Sequence, residues 1–138
     1  MSVPYLQELT LQLAVGASQL DASLRSRHAQ WLIAQQRADG GFAGREGESD
    51  PYYTAFALRA LWILDALDGQ IGSNAAGFLK QRLNQRESII DLISLIFGSA
   101  IVELAVGEVV IPDDDQHWRT RVADLLASLR TEDGGFAK

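Results

Sequence analysis

The stretch that decides the fold spans residues 36–56 and reads QRADGGFAGREGESDPYYTAF. Its paired glycines, Gly40 and Gly41, predict that a helix ends here in backbone conformations with positive φ, which residues bearing a Cβ adopt only at a cost. Asp39 can accept hydrogen bonds from the amides of the turn, and Asp50, followed by a proline, is typical of a helix N-cap. The stretch therefore predicts two helices joined by a defined turn.

The tetrapeptide Asp-Gly-Gly-Phe occurs at residues 39–42 and again at residues 133–136, an offset of 94. The helix before each copy follows the spacing i, i+4, i+7, i+8, i+11, which predicts one buried side. Half the offset, 47 residues, places a third copy of this helix between them. The matched positions are Leu24, His28, Trp31, Leu32 and Gln35 in the first copy, Ile71, Ala75, Phe78, Leu79 and Arg82 in the second, and Trp118, Val122, Leu125, Leu126 and Leu129 in the third. Such a period is typical of repeated helix pairs that bury their apolar faces against their neighbours.

A second kind of helix follows the turn. Residues 51–64 contain Arg59 as their only charge and are apolar on nearly every side, and residues 92–104 are similar. A helix of this kind must be covered all round or must line an enclosed cavity. No segment shows the alternation of a β-strand, so we expect an all-α chain. The expected helices lie near residues 4–19, 22–37, 51–67, 73–85, 90–106 and 116–130.

The composition narrows the classes of function. A length of 138 residues suits one domain. Acidic residues outnumber basic ones by 18 to 12 without a Lys/Arg cluster, so we expect no nucleic-acid partner. The chain has no cysteine, which excludes disulfides and thiolate ligands. Because the N-terminus lacks a secretory signal, we expect a cytoplasmic protein.

The most apolar region, residues 89–111, is interrupted by acidic residues, so that its uncharged stretch, 92–102, covers eleven residues. A bilayer-spanning helix needs about 20 apolar residues. We therefore expect a buried helix here and no transmembrane segment.

The residues QRADGGF at 36–42, then Gly44 and Arg45, then DPYYTAFALRAL at 50–61, resemble the prenyltransferase and squalene oxidase repeat. This repeat is shared by the β subunits of protein prenyltransferases and by squalene-hopene-type terpene cyclases. The resemblance extends over residues 27–64 and again over 118–136. It implies an α/α toroid, in which inner helices ring a deep apolar cavity that holds an isoprenoid or a prenyl diphosphate.

A closed toroid of this kind needs about twice the length of this chain at the observed period. We therefore expect one partial toroid domain over residues 1–138, about half of a full ring, with units at 22–68 and 73–106 and an incomplete unit at 116–138. An open half-ring exposes apolar inner surface, which favours association. We expect either self-association or a missing second half of the ring, with contacts through Tyr53, Phe56, Trp62 and segment 89–102.

The resemblance also implies the site residues. Tyr53 and Phe56 match pocket-lining aromatic positions of the transferase repeat, and Arg59, one turn further, is placed to meet a diphosphate. The zinc-binding repeat of the transferases begins its inner helix with Asp-x-Cys-Tyr, and here Tyr52 replaces the thiolate that follows Asp50. We therefore predict Tyr52, Tyr53, Phe56 and Arg59 as substrate contacts. No cofactor is expected within this chain, and zinc belongs to a complete homologous transferase.

The remaining aspartates and histidines that could act in catalysis or metal binding are predicted to have structural roles. Asp113-Asp114-Asp115 differ from the Asp-x-Asp-Asp of the cyclases and are expected to cap the following helix, with His117 solvated at its start. His28 lies on the apolar stripe, where a hydrogen-bonded structural histidine is expected. No catalytic residue is predicted.

The resemblance implies a prenyltransferase-like protein, similar to the β subunits of geranylgeranyl and farnesyl transferases, that contributes part of an isoprenoid-binding cavity. By itself we expect the chain to be inactive, with transferase activity confined to a complete protein. Two alternatives stay open. One is a non-catalytic helical repeat scaffold that binds protein or lipid, and the other is a fragment of a class II terpene cyclase.

Overall fold

A computed structural model describes residues 5–85, 88–112 and 116–137. Across these ranges the chain forms six helices: α1 (Tyr5–Ser18), α2 (Ala22–Ile33), α3 (Pro51–Ile63), α4 (Gly69–Arg82), α5 (Ile89–Val106) and α6 (Gln116–Leu129). The same ranges contain two isolated β-bridges, and no β-strand extends beyond a single bridge. The all-α prediction is confirmed.

The two most apolar helices, α3 and α5, form the most extensive helix–helix contact of the chain. The α4 helix packs mainly on α5 and also on α3, while α1 and α2 each pack on α3. The helices α1, α3 and α5 therefore form a row, against which α2 and α4 are packed. Burial of apolar side chains holds this arrangement together, because each fully buried leucine or valine contributes about 1.5–3 kcal/mol.

The core has two parts. The larger cluster joins α3, α4 and α5 through fully buried side chains, among them Leu58, Leu79, Leu95 and Val102. The smaller cluster surrounds the turn after α2 and comprises Phe42, Ala57, Leu61 and Ile71. The turn is therefore part of the core.

Hydrogen bonds join the turn to α3. Asp39 Oδ1 accepts the amide of Gly41 at 2.9 Å and the hydroxyl of Ser49 at 2.9 Å. The amide of Phe42, whose side chain is 3% exposed, donates to Thr54 Oγ1 at 2.9 Å. The role predicted for Asp39 is confirmed. The turn is also anchored to the helix that follows it, through the amide of Phe42.

The start of α3 and the neighbouring α4 complete this anchor. Asp50 is the N-cap of α3 and accepts the amide of Tyr53 at 2.8 Å, with a proline at the first helical position, as predicted. Gln36 Nε2 donates to the carbonyl oxygens of Gly40 and Ile71, each at 3.0 Å. One amide side chain thus links the turn to α4.

The turn at residues 131–135 repeats three hydrogen bonds of the turn at 37–41. In both, the amide of the first residue donates to the carbonyl of the fifth at 2.9 Å, and the amide of the fourth donates to the carbonyl of the first at 2.9 Å. In both, the aspartate at the third position accepts the amide of the fifth residue. The φ angles of Gly40 and Gly134 are 87° and 85°. The repeat at an offset of 94 residues is therefore present in the structure of the turn as well as in its sequence.

Two details of the turn and of the helix ends differ from the predictions. Gly41 does not share the positive φ of Gly40; a Cβ on Gly41 would instead lie 2.7 Å from Ser49 Cβ, so the position requires glycine for space. The α4 helix begins at Gly69, four residues earlier than predicted, because Asp68 caps it by accepting the amide of Ile71 at 2.9 Å.

The predicted apolar stripe of α2 is wrong in its orientation. His28 is exposed, and so is Trp31, with 64% of its surface accessible. The buried side of α2 instead carries Ala29, and Leu32 packs against the smaller cluster. His28 is therefore a surface residue and not a structural core histidine. The corresponding stripe of α4 is buried as predicted, at Ile71, Ala75, Phe78 and Leu79.

The loop after α5 is tied to α4 by Glu108. Its carboxylate accepts a hydrogen bond from the hydroxyl of Ser73 and lies 3.5 Å from Lys80 Nζ. The hydrogen bond from Ser73, followed by the charge of Lys80, holds the pKa of Glu108 below its ordinary value of 4.5.

The two equivalent glycines provide a matched test of the turn. Alanine at Gly134 should cost about 1–2 kcal/mol, because it forces a Cβ into positive φ. Alanine at Gly40 should cost clearly more, about 3 kcal/mol or above, because its Cβ would also lie 2.0 Å from the carbonyl oxygen of Asn74. Urea unfolding of Gly40→Ala and Gly134→Ala measures both costs. Equal losses would contradict the packing of this turn against α4.

The lowered pKa of Glu108 predicts a dependence of stability on pH. A carboxylate with a depressed folded pKa stabilises the fold above its ordinary pKa and loses that contribution as the pH falls through the folded pKa. Glu108→Gln should therefore be less stable than the wild type at neutral pH, and the difference should shrink below about pH 4.5. Urea unfolding across this pH range measures it, with Ser73→Ala expected to show the same profile. A difference that stays constant down to pH 3 would exclude this carboxylate as its source.

Candidate functional site

A groove of about 850 Å³ lies between α1, α3 and α5. Its lining is mostly apolar: Leu11 from α1, Trp62 from α3, and Ile96, Phe97, Ala100, Ile101 and Leu104 from α5. Its polar side chains are Gln7, Thr10 and Glu103. Small-molecule sites usually have about 300–1,000 Å³ and this kind of apolar lining with few polar groups.

The α5 helix supplies most of the groove because it is apolar on two sides. Leu95 and Val102 fill the core, while Ile96, Ala100 and Leu104 recur every four residues on another side. That second side is exposed in the present structure. The helix therefore both holds the fold together and presents an apolar surface.

A polar contact fixes α1 along the groove. Arg59 Nε, on α3, donates to Thr10 Oγ1 at 3.0 Å, and the Thr10 hydroxyl donates to the carbonyl oxygen of Leu6 at 2.7 Å. Thr10 is buried although it is polar. Because Thr10 also lines the groove, this contact sets the position of one wall.

A second groove of about 510 Å³ shares Leu11, Trp62 and Leu104 with the first, so the two adjoin. It adds the polar side chains of Ser18, Arg25 and Asp65 to the apolar surface. Within the described part of the chain, the Nε atom of Arg25 is buried and has no hydrogen-bond partner. The combined surface is therefore apolar along most of its length and carries a cationic side chain.

The predicted aromatic contacts form a separate patch on α3. Tyr52 packs edge-to-face against Tyr53 (ring centroids 5.3 Å apart) and against Phe56 (4.9 Å). All three side chains are exposed. The ring of Tyr53 also covers Gly44, where a Cβ would lie 2.7 Å from it. None of the three lines either groove.

The patch and the grooves nevertheless share one side of α3. Tyr52, Phe56, Arg59 and Ile63 are spaced by four, three and four residues, which places them along one side of the helix. Arg59 contacts the groove residue Thr10, and Ile63 lines the second groove. Of the four predicted site residues, Arg59 is thus the one with a direct contact to the groove wall.

The position that resembles a zinc ligand does not fit zinc. The carboxylate of Asp50 is used as the N-cap of α3, and Tyr52 lies in the aromatic patch. Among residues 5–85, 88–112 and 116–137, no group of three or more His, Cys, Asp or Glu side chains could hold a metal ion. His117 is exposed, and residues 113–115, predicted to cap α6, lie outside the described residues.

Sequence reasoning missed the part of the groove that α1 contributes. Gln7, Thr10 and Leu11 belong to a helix outside the recognised repeats, and their side of α1 depends on the contact of Thr10 with Arg59. The prediction of a buried helix at residues 89–111 is wrong for the side of α5 that carries Ile96, Ala100 and Leu104, which is exposed. Segment 89–102 was also predicted as an association surface of an open half-ring. Trp62 was part of the same prediction.

By length and composition, one helix of the described chain meets the criterion for crossing a membrane. This helix is α5, with 18 residues and a mean hydropathy of 2.2, and 28% of it is buried within the protein. In the present structure α5 packs against α3 and α4. Core helices of soluble proteins that meet the same criterion are mostly buried, whereas α5 is buried on one side only.

Comparisons with known proteins returned no relative. No family model matches the chain, no curated protein shows significant similarity to it, and no solved structure matches its fold significantly.

Proposed function

We propose that this chain binds an isoprenoid or a prenyl diphosphate as part of a prenyltransferase-like cavity. The observation that carries the proposal is the groove of about 850 Å³ between α1, α3 and α5, with its apolar lining. The resemblance of residues 27–64 and 118–136 to the prenyltransferase and squalene oxidase repeat supports the same ligand. The arrangement of the helix pairs as half of an α/α toroid belongs to this proposal.

The chemistry of the surface favours a long apolar chain. Each methylene removed from water contributes about 0.8 kcal/mol, and the two adjoining grooves offer apolar contacts over the length of several turns of α5. The row of Tyr52, Phe56 and Arg59 on the same side of α3 extends this surface. A ligand of this shape gains affinity along its whole length without needing a reactive group.

A diphosphate would find cationic partners at this surface. Arg59 contacts Thr10, a wall residue of the first groove, and Arg25 lines the second groove with a buried Nε that has no protein acceptor in the described chain. A charge-assisted hydrogen bond to a phosphate oxygen would satisfy such a donor. The bound end of the ligand therefore belongs near one of these two arginines, and the chain belongs along Trp62 and Leu104, which line both grooves.

The proposed role is binding and positioning. The groove contains Glu103 as its acidic side chain and no histidine, serine or cysteine among its lining residues. A transferase reaction would need groups from another part of a complete protein, because desolvation and alignment of a prenyl diphosphate supply only part of catalysis. The alternative of a helical repeat scaffold rests on the exposed aromatic patch of α3, which could equally contact a protein.

Titration with a fluorescent prenyl diphosphate tests the proposal, with a matched pair of variants on α5. Ile96→Asp should weaken binding about tenfold or more, because its carboxylate would have to be desolvated against an apolar chain. Ile93→Asp should leave the affinity nearly unchanged, since Ile93 is exposed on α5 but does not line either groove. Circular dichroism confirms that both variants are folded.

The same titration separates the alternatives. Saturable binding that is lost in Ile96→Asp and kept in Ile93→Asp supports the isoprenoid groove. Equal weakening by both variants would indicate binding elsewhere on α5. Absence of saturable binding to the wild type would contradict the proposal and would favour the helical repeat scaffold as the interpretation.

A further inference from the structure

The second Asp-Gly-Gly-Phe turn has the geometry of the first without its cover. Both turns share two backbone hydrogen bonds and the bond from the amide of the fifth residue to the aspartate. Phe42 is 3% exposed, whereas Phe136, at the equivalent position, is 51% exposed. A preformed turn thus presents a phenylalanine to solvent.

The first turn shows what kind of partner fits such a phenylalanine. Phe42 is covered by Ala57 and Leu61 of α3, and its amide donates to the hydroxyl of Thr54 on the same helix. The partner is therefore a helix that presents small and apolar side chains and lies beside the turn. In the described chain no helix stands in that relation to Phe136.

The α6 helix before the second turn is similarly uncovered. None of its described residues is buried. It is attached at one end, where Trp118 packs against the larger core cluster and Arg121 donates to the carbonyl oxygen of Leu83 at 2.9 Å. Its stripe continues to Leu125, Leu126 and Leu129, each only partly buried.

The opposite end of the helix row has the complementary surface. The α3 and α5 helices each pack against the helix that precedes them, α2 and α4 respectively. No helix precedes α1 in the described chain. On α1, Tyr5, Leu9, Leu13 and Gly16 follow the spacing i, i+4, i+8, i+11 and form a stripe on a different side from the groove residue Leu11.

This α1 stripe can be buried at low cost. Tyr5 and Leu13 are 74% and 45% exposed. The only charged residue of α1 is Glu8, so few charges need to be desolvated. A Cβ added at Gly16 would meet nothing within 4 Å, which leaves room for another helix to approach.

We propose that α1 of a second copy of this chain packs against α6 and the turn at residues 131–136, in the place that α3 occupies beside α2 and the first turn. The contact repeats, between two copies, the relation of an outer helix and turn to an inner helix that the chain already contains once. It is heterologous, joining α6 and its turn in one copy to α1 of the next, and so builds closed rings or open chains. This surface differs from the one predicted around Tyr53 and Phe56.

Sedimentation velocity at micromolar concentration tests the proposal with two variants and their mixture. Phe136→Asp places a charge at the contact surface of the turn, and Leu13→Asp places a charge in the α1 stripe. Each substitution alone should therefore weaken association about tenfold or more. Mixing them should restore a mixed species, because the intact α1 of one variant meets the intact turn of the other. Trp31→Asp removes an aromatic side chain of α2 that is at least as exposed as Phe136, and it should leave association unchanged.

Each outcome decides the proposal. Association of the wild type that is lost in both variants and restored by mixing supports the head-to-tail contact. A monomeric wild type overturns it, and so does association that survives Phe136→Asp, which would indicate a contact between two α1 helices or through α3 and α5. Tyr5→Lys repeats the test of the stripe if circular dichroism shows that Leu13→Asp is unfolded. Because the readout is association alone, its failure is independent of isoprenoid binding.

Discussion

The amide of Phe42 donates to the hydroxyl of Thr54, and this bond fixes where α3 lies relative to the end of α2. Around it, Asp39 closes the turn and Gln36 reaches across to α4. Both partners of the bond are buried, so breaking it would leave a polar group unpaired in the core at a cost of about 1–3 kcal/mol. The position of α3, and with it that of α1 and α5, depends on this anchor.

The groove is a consequence of the same row of helices. Because α3 is anchored from one side by the turn and packs on α5, its remaining sides carry Trp62 toward the groove and Tyr52 and Phe56 toward solvent. The apolar surface that the core does not use is concentrated on α5 and α1. Exposed apolar surface of this kind is typical of ligand-binding grooves and of protein or membrane interaction sites.

The sequence predicted the parts of the fold that local chemistry decides. The cap at Asp50, the turn bond of Asp39, the positive φ of Gly40 and the buried stripe of α4 follow from residue type and spacing. The stripe of α2 was oriented wrongly, because α2 packs mainly on α3 and periodicity alone cannot show which neighbour a helix meets. The early start of α4 at Gly69 depends on Asp68, a cap that the helix pattern did not reveal.

Less of the candidate site could be predicted from the sequence. Segment 89–102 of α5 was predicted as an association surface, but the wall from α1 requires the bond between Arg59 and Thr10, which joins residues far apart in the chain. The aromatic residues Tyr52, Tyr53 and Phe56 were chosen from the repeat pattern, and they lie beside the groove on α3 without lining it. Their part in ligand binding remains a prediction.

Amide hydrogen exchange at Phe42, followed by NMR, tests the anchor most directly. If the turn is an integral part of the core, the Phe42 amide should exchange only when the whole protein unfolds, with an opening free energy equal to that of global unfolding. Exchange through a local opening of clearly lower free energy, while the amides of α3 stay protected, would show that the turn can detach from α3. That result would contradict the account of how this fold is held together.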